Sequence, residues 1–269
     1  MDQGGIKLSV RAKRWARRWA LATGLHNPFV PRQIWPDDVF FVSYPRSGST
    51  WLRFLLANLV KVGDEAIDFH NVARFIPEVA DLASGGPYAS PRIIRTHAPF
   101  QKRYPRTIYL VRDGRDVYLS YYHHQGHKMA EDTTLAAFLA SDDHWPGRWS
   151  DHVAGWLDAG LDQQRLLLVR YEDLRQDTAG ELRRMADFAG LAVSDEGIAG
   201  AVAESAFDRM RRMENSSGHP RAGKYSGQFV RQGKSGGWRD AYTAEDLAIF
   251  NAKDGPVLAR LGYPEAPAP

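Results

Sequence analysis

The chain contains no cysteine. That excludes a disulfide framework, thiolate metal sites and thiolate nucleophiles, and it leaves the redox compartment open. Long apolar runs are missing as well. No stretch approaches the roughly eighteen residues of a membrane span, and the N-terminus lacks the uninterrupted apolar core of a secretory signal. Cytoplasmic residence is the expectation that follows. Excess charge is also scarce: 35 Lys and Arg stand against 32 Asp and Glu, a formal net charge of +3 over 269 residues. Six of those basic residues and one acid lie within positions 1–20, which leaves 29 basic and 31 acidic groups for the other 249. A near-neutral body has no basic stripe for nucleic acid, so any anion binding must be local. Internal repeats are absent, and the only biased stretch is a short Pro/Ala tail after Tyr263.

What is present is ample core material, with 43% hydrophobic and 12% aromatic residues, enough for one domain near the upper size limit. Short β-rich runs alternate with helical ones. Val39–Ser43, Arg92–His97, Thr107–Val111 and Leu166–Tyr171 read as strands. Thr50–Val60, Gly114–His123, Ala179–Gly190 and Thr243–Leu261 read as helices. The alternation predicts an α/β fold, a central parallel sheet flanked by helices on both faces. Met213–Trp238, rich in Gly, Ser and basic residues, reads as a long loop, a feature usually reserved for function. Residues 31–269 form the expected domain and residues 1–30 a basic amphipathic arm. Over residues 7–21, Leu8, Ala12, Trp15 and Trp19 share one helical face beside Lys7, Arg11, Arg14 and Arg18. Such an arm can make peripheral contact with an anionic membrane, or it can pack on the domain or fray.

Three segments carry chemistry. The first is Ser43-Tyr44-Pro45-Arg46-Ser47-Gly48-Ser49-Thr50-Trp51. A strand, a tight loop with one Gly and three hydroxyl side chains, and a helix start together make a phosphate cradle. Backbone N–H groups and the helix N-terminus point at the anion. It is not a Walker A loop, because GxxxxGK[ST] is missing. The second segment runs from Tyr109 to Ser120, with Arg112 at a strand end and Ser120 two helical turns on, so both can face one anion. The third is Phe229-Val230-Arg231-Gln232-Gly233-Lys234-Ser235-Gly236-Gly237-Trp238. Two near-misses to Walker A in this region, Gly218–Tyr225 and Gly227–Ser235, follow no strand and are rejected.

The first segment resembles the 5′-phosphosulfate loop TYPKSGTTW of the sulfotransferases that use 3′-phosphoadenosine 5′-phosphosulfate (PAPS). The second resembles that family's 3′-phosphate motif, and the third its late FxRKGxxGDWK loop. The resemblance spans about Val39 to Trp238 and implies a P-loop, nucleotide-kinase-like sulfotransferase fold. It implies that Arg46, Ser47, Gly48, Ser49 and Thr50 grip the 5′-phosphosulfate, and that Trp51 stacks near the adenine. It places Arg112 and Ser120 on the 3′-phosphate, with Phe229, Val230, Arg231 and Gly233 closing over it. Tyr171, in a YEDL segment, and Ser205 and Phe207, in a TSF-like one with Met210, would wrap the adenine. This chain departs from the family with Arg46 for a Lys, Gln232 for a Lys and Gly237 for an Asp.

Arg95-Thr96-His97-Ala98-Pro99 is similar to the family's KTHLP and makes His97 the candidate base. A His titrating near neutrality suits the removal of a proton from an attacking hydroxyl. Arg46 and Arg95 would be the fixed cations that oppose charge growing on the leaving phosphate. The resemblance implies PAPS as donor, PAP as product, no metal, and a small-molecule or lipid acceptor. His123, His124 and His127 lack an HExxH glutamate and a further ligand and read as structural or as pocket lining. Two rivals remain on sequence alone: an ATP-dependent small-molecule kinase of related fold, and an inactive PAP-binding module.

Overall fold

The computed structural model describes residues 27–84, 88, 90–126, 129–130, 132–218 and 235–264. Four strands form one sheet in the order β2-β1-β3-β4: β1 Val39–Ser43, β2 Ile93–Thr96, β3 Arg106–Val111 and β4 Leu166–Arg170. Every pairing is parallel, with Val39 opposite Ile93 and Arg106, and Thr107 opposite Leu166. The central strand β1 is buried on both faces, as an unbroken apolar run in a parallel sheet must be.

Side chains alternate across the sheet with the period of two that strands impose. Val39, Phe41, Ile93, Ile108, Leu110 and Val169 enter one core. Phe40, Val42, Ile94, Tyr109 and Val111 enter the other. The helices are α1 Ser49–Val60, α2 Val72–Phe75, α3 Gly114–Gln125, α4 Leu135–Ala140, α5 Trp149–Leu157, α6 Tyr171–Gln176, α7 Thr178–Ala189, α8 Asp195–Glu204, α9 Phe207–Ser217 and α10 Ala244–Arg260. Helices α1, α7 and α8 cover the first face, and α3, α4, α5 and α10 cover the second. Residues 27–30 pack on this body: Phe29 is buried and its carbonyl accepts a bond from the Tyr104 hydroxyl.

Most boundaries fall within one or two residues of the sequence reading, and two differences bear on the site. The strand expected to end at Tyr171 stops at Arg170, and Tyr171 opens α6. Residues 213–217, expected to open a long loop, belong to α9, which ends where Gly218 adopts φ 70°. Residues 219–234 lie outside the described residues, as does the arm over residues 7–21.

Candidate active site

The loop Tyr44–Gly48 leaves the end of β1 in an unusual conformation. Arg46 has φ 73°, alone among the described non-glycine residues in being positive. A left-handed backbone costs a residue with a Cβ about 1–2 kcal/mol and persists only where the surroundings hold it. Two neighbours hold this one. Arg112 donates from Nη1 to the Arg46 carbonyl at 3.2 Å, and Arg46 Nε donates to Ser120 Oγ at 3.1 Å. The structure thus joins Arg46, Arg112 and Ser120 in one cluster, although the resemblance assigns them to opposite ends of a nucleotide.

Gly48, at φ 96°, is the cap of α1. A Cβ there would lie 2.5 Å from the ring of Tyr171, so both torsion and space demand glycine. The Arg112 guanidinium sits 4.6 Å over the same ring. The Trp51 ring meets it edge-on, with centroids 6.0 Å apart. Burial raises the Tyr171 hydroxyl above its ordinary pKa, and the Arg112 charge works against that shift. Trp51 is fixed in turn by its indole N–H, which donates to the Ser205 carbonyl at 3.1 Å. The buried Ser205 hydroxyl accepts from Asn58 at 3.2 Å, and Phe207 packs on the core behind it. Inside the loop the Ser47 hydroxyl is buried and has no hydrogen-bond partner among the described residues. An orphaned donor beside a glycine-floored cradle suits a bound phosphate ester.

His97 stands just past β2. Its Nδ1 lies 2.7 Å from the Ser43 carbonyl, an acceptor, so Nδ1 carries the hydrogen. Its Nε2 lies 2.9 Å from Nη2 of Arg95, which can only donate, so Nε2 carries the lone pair. The two contacts assign one tautomer independently. The same Arg95 Nη2 is 3.1 Å from Ser49 Oγ, and Arg95 Nη1 is ion-paired with Glu78. Behind His97, the fully buried His152 meets the Tyr109 hydroxyl at 2.8 Å. Burial pushes the His152 pKa down to about 4, which keeps it neutral. Trp145 stands edge-on to His97 at 5.7 Å and remains 43% exposed.

A buried carboxylate ties the late segment to this cluster. Asp116 accepts from the backbone N–H of Gly236 at 2.7 Å and of Trp238 at 3.1 Å, and it lies 3.7 Å from Arg112. The Arg115 guanidinium covers the Trp238 ring at 3.8 Å.

The sulfotransferase domain family matches residues 36–260. The chain belongs to that family. Sulfotransferase 2B1 of Mus musculus is 31% identical over 239 residues, covering 80% of this chain and 70% of that protein. Cytosolic sulfotransferase 1 of Danio rerio is 31% identical over 81% of this chain and 82% of its own length. The fold is shared with the mouse sulfotransferase SULT7A1 complexed with PAP, at TM-score 0.63 and 21% identity over 86% and 88% of the two chains. It is shared also with retinol dehydratase in a complex with retinol and PAP, at TM-score 0.64 and 22% identity over 84% and 82%.

Within this sulfotransferase the residues expected at the site converge where they are described: Arg46 to Trp51, Arg95, His97, Arg112, Ser120, Tyr171, Ser205 and Phe207. Phe229, Val230, Arg231 and Gly233 lie outside the described residues, and so does His127. Sequence reasoning missed Glu78, Asn58 and Trp145, and it gave Asp116 no role of its own. Glu78 lies 17 residues before its partner Arg95, at a spacing that no local rule links.

Proposed function

We propose that this sulfotransferase moves a sulfuryl group from PAPS to the hydroxyl or amine of a small-molecule or lipid acceptor, releasing PAP. One nitrogen carries the reading. Arg95 Nη2 contacts both His97 Nε2 and Ser49 Oγ, at 2.9 and 3.1 Å, so candidate base and phosphate cradle stand a single guanidinium apart.

The residues present suit the donor. Ser47, Gly48, Ser49, Thr50 and the N-terminus of α1 would hold its 5′-phosphosulfate. Arg112 and Ser120 would meet its 3′-phosphate, with Phe229, Val230, Arg231 and Gly233 closing over that group. Trp51 and Tyr171 would flank the adenine, with Ser205 and Phe207 behind them. PAPS supplies a sulfuryl group already joined to a phosphate leaving group. His97 Nε2 accepts the proton of the acceptor hydroxyl as that oxygen bonds to sulfur. The bond from sulfur to the 5′-phosphate oxygen breaks, and its electron pair stays on phosphate. Arg46 and Arg95 would offset that growing charge, and no step calls on a metal ion.

Exposed Trp145 beside His97 supports an acceptor with an apolar or aromatic body, as does the retinol bound by a neighbour of the same fold. The zebrafish relative's designation as cytosolic supports a cytoplasmic placement. Among the described residues no helix is long and apolar enough to cross a membrane. For a lipid acceptor, the basic arm over residues 7–21 adds contact with an anionic membrane surface, screened by salt.

The test pairs calorimetry, PAP against ATP, with a panel of phenols, alcohols, amines, sugars and lipids given labelled PAPS. Tight PAP binding, weak ATP binding and label on at least one acceptor are expected. Preferred binding of ATP, or PAP binding without transfer to any acceptor, would overturn the reading.

A further inference from the structure

We propose that Glu78 is a positioning residue for the transfer: it anchors one end of the Arg95 guanidinium, so that the other end caps His97 Nε2 in the free enzyme and swings to the donor's anion when that arrives. The proposal rests on His97 as the base.

The lone pair on Nε2 is the atom that would take the acceptor's proton, and in this structure Arg95 Nη2 occupies it at 2.9 Å. An arginine in a protein does not surrender its own proton. A capped His97 therefore cannot act as a base until Nη2 moves away.

The contacts of Arg95 are unequal. Nη1 faces the Glu78 carboxylate, while Nη2 faces two neutral acceptors, His97 Nε2 and Ser49 Oγ. The Arg95 donor is charged in all three contacts, but only the Glu78 contact joins opposite charges, so the guanidinium is held at Nη1 and exchangeable at Nη2. Glu78 is itself fixed by the backbone. It forms a parallel bridge with Arg95, and the Arg95 N–H donates to the Pro77 carbonyl at 2.8 Å. Its own N–H donates to Asp81 at 2.8 Å, and Arg53 approaches its carboxylate at 3.5 Å. Ser49 opens the helix at the end of the cradle. A sulfuryl anion delivered there competes for Nη2 against neutral groups, and the same inequality favours the anion. Donor binding then uncaps the base, and Glu78 keeps Arg95 close enough to serve both states.

The test is a double-mutant cycle on the full chain, with Glu78→Gln and Arg95→Ala made singly and together. Glu78→Gln should lower kcat roughly tenfold or more, the scale of a lost charge-assisted bond, while PAP affinity and Tm stay near wild type. In the Arg95→Ala background the same change should have no further effect. Equal losses in both backgrounds would overturn the proposal. Nitrogen-15 NMR of the His97 ring supplies a readout apart from turnover. PAPS without acceptor should move the Nε2 resonance in the direction that Arg95→Ala moves it, and PAP, which has no sulfuryl group, should not. A resonance indifferent to PAPS would also overturn it. His97→Gln is measured in parallel: full turnover there sinks the base assignment, whereas lost turnover there with additive Glu78 and Arg95 effects sinks only the present proposal.

Discussion

The ring of Tyr171 fills the space that a side chain on Gly48 would need, with 2.5 Å between the ring carbons and the position of a Cβ. The phosphate cradle and the start of α6 are therefore in contact because one residue has no side chain. Gly48 also stands at φ 96°, so substitution meets strain in the torsion as well as in space.

Gly48→Ala should destabilise the fold by about 2–4 kcal/mol, combining left-handed strain with overpacking, and abolish measurable PAP binding. Thermal unfolding and calorimetry check this. Adding Tyr171→Ala should recover part of the stability by removing the clash, but not the torsional part. No recovery would mean that the ring contact is not what glycine accommodates.

His97→Gln should leave PAP binding near wild type and reduce turnover by about 10²-fold or more, the scale of a general base. The isotherm and the rate are measured on the same preparation. Comparable turnover would remove His97 from the mechanism.

Arg112→Ala should weaken PAP by roughly tenfold to over a hundredfold through loss of a charge-assisted contact. Adenosine 5′-phosphosulfate, without the 3′-phosphate, should lose less. It should still lose something, because Arg112 also supports the Arg46 carbonyl. Equal losses for the two nucleotides would confine Arg112 to that supporting role.

Stability should rise with pH between about 4 and 6.5, with His152 as one cause. Its folded pKa is depressed to about 4 by burial, while the unfolded side chain titrates near 6.5. Across that window the unfolded chain binds a proton that the native chain does not, so the contribution is present above the unfolded value and lost as pH falls. One such group supplies about 1.4 kcal/mol per pH unit. His144, also depressed to about 4 chiefly by burial, acts in the same sense. Urea unfolding of wild type and His152→Gln at pH 5 and 7 should show a shallower dependence in the variant. Parallel curves would mean that His152 protonates without unfolding.

The cradle from Ser43 to Trp51 was legible because its signals are local: an apolar strand, a small-residue loop and a helix start within nine positions. Arg112, Ser120 and His97 stood out only through the resemblance of their segments to the family's motifs, and the structure joins Arg112 and Ser120 to Arg46. The helical start at Tyr171 was less legible, because the Leu-rich run before it gives no local signal of where the strand stops. The polar, basic composition after Met213 suggests a loop, yet residues 213–217 continue α9, whose Phe207, Met210 and Met213 pack on the core.

The alternation of strands and helices and the cradle can be read along the chain, because periodicity and turn chemistry act within a few residues, and the family follows from the resemblance of its motifs. Only the tertiary structure decided which charges meet. Parallel pairing brings Glu78 beside Arg95, and packing of α3 against the late segment turns Asp116 into a clamp for Gly236 and Trp238. Those partners are chosen by register and by the packing of distant segments, and no spacing along the chain encodes them.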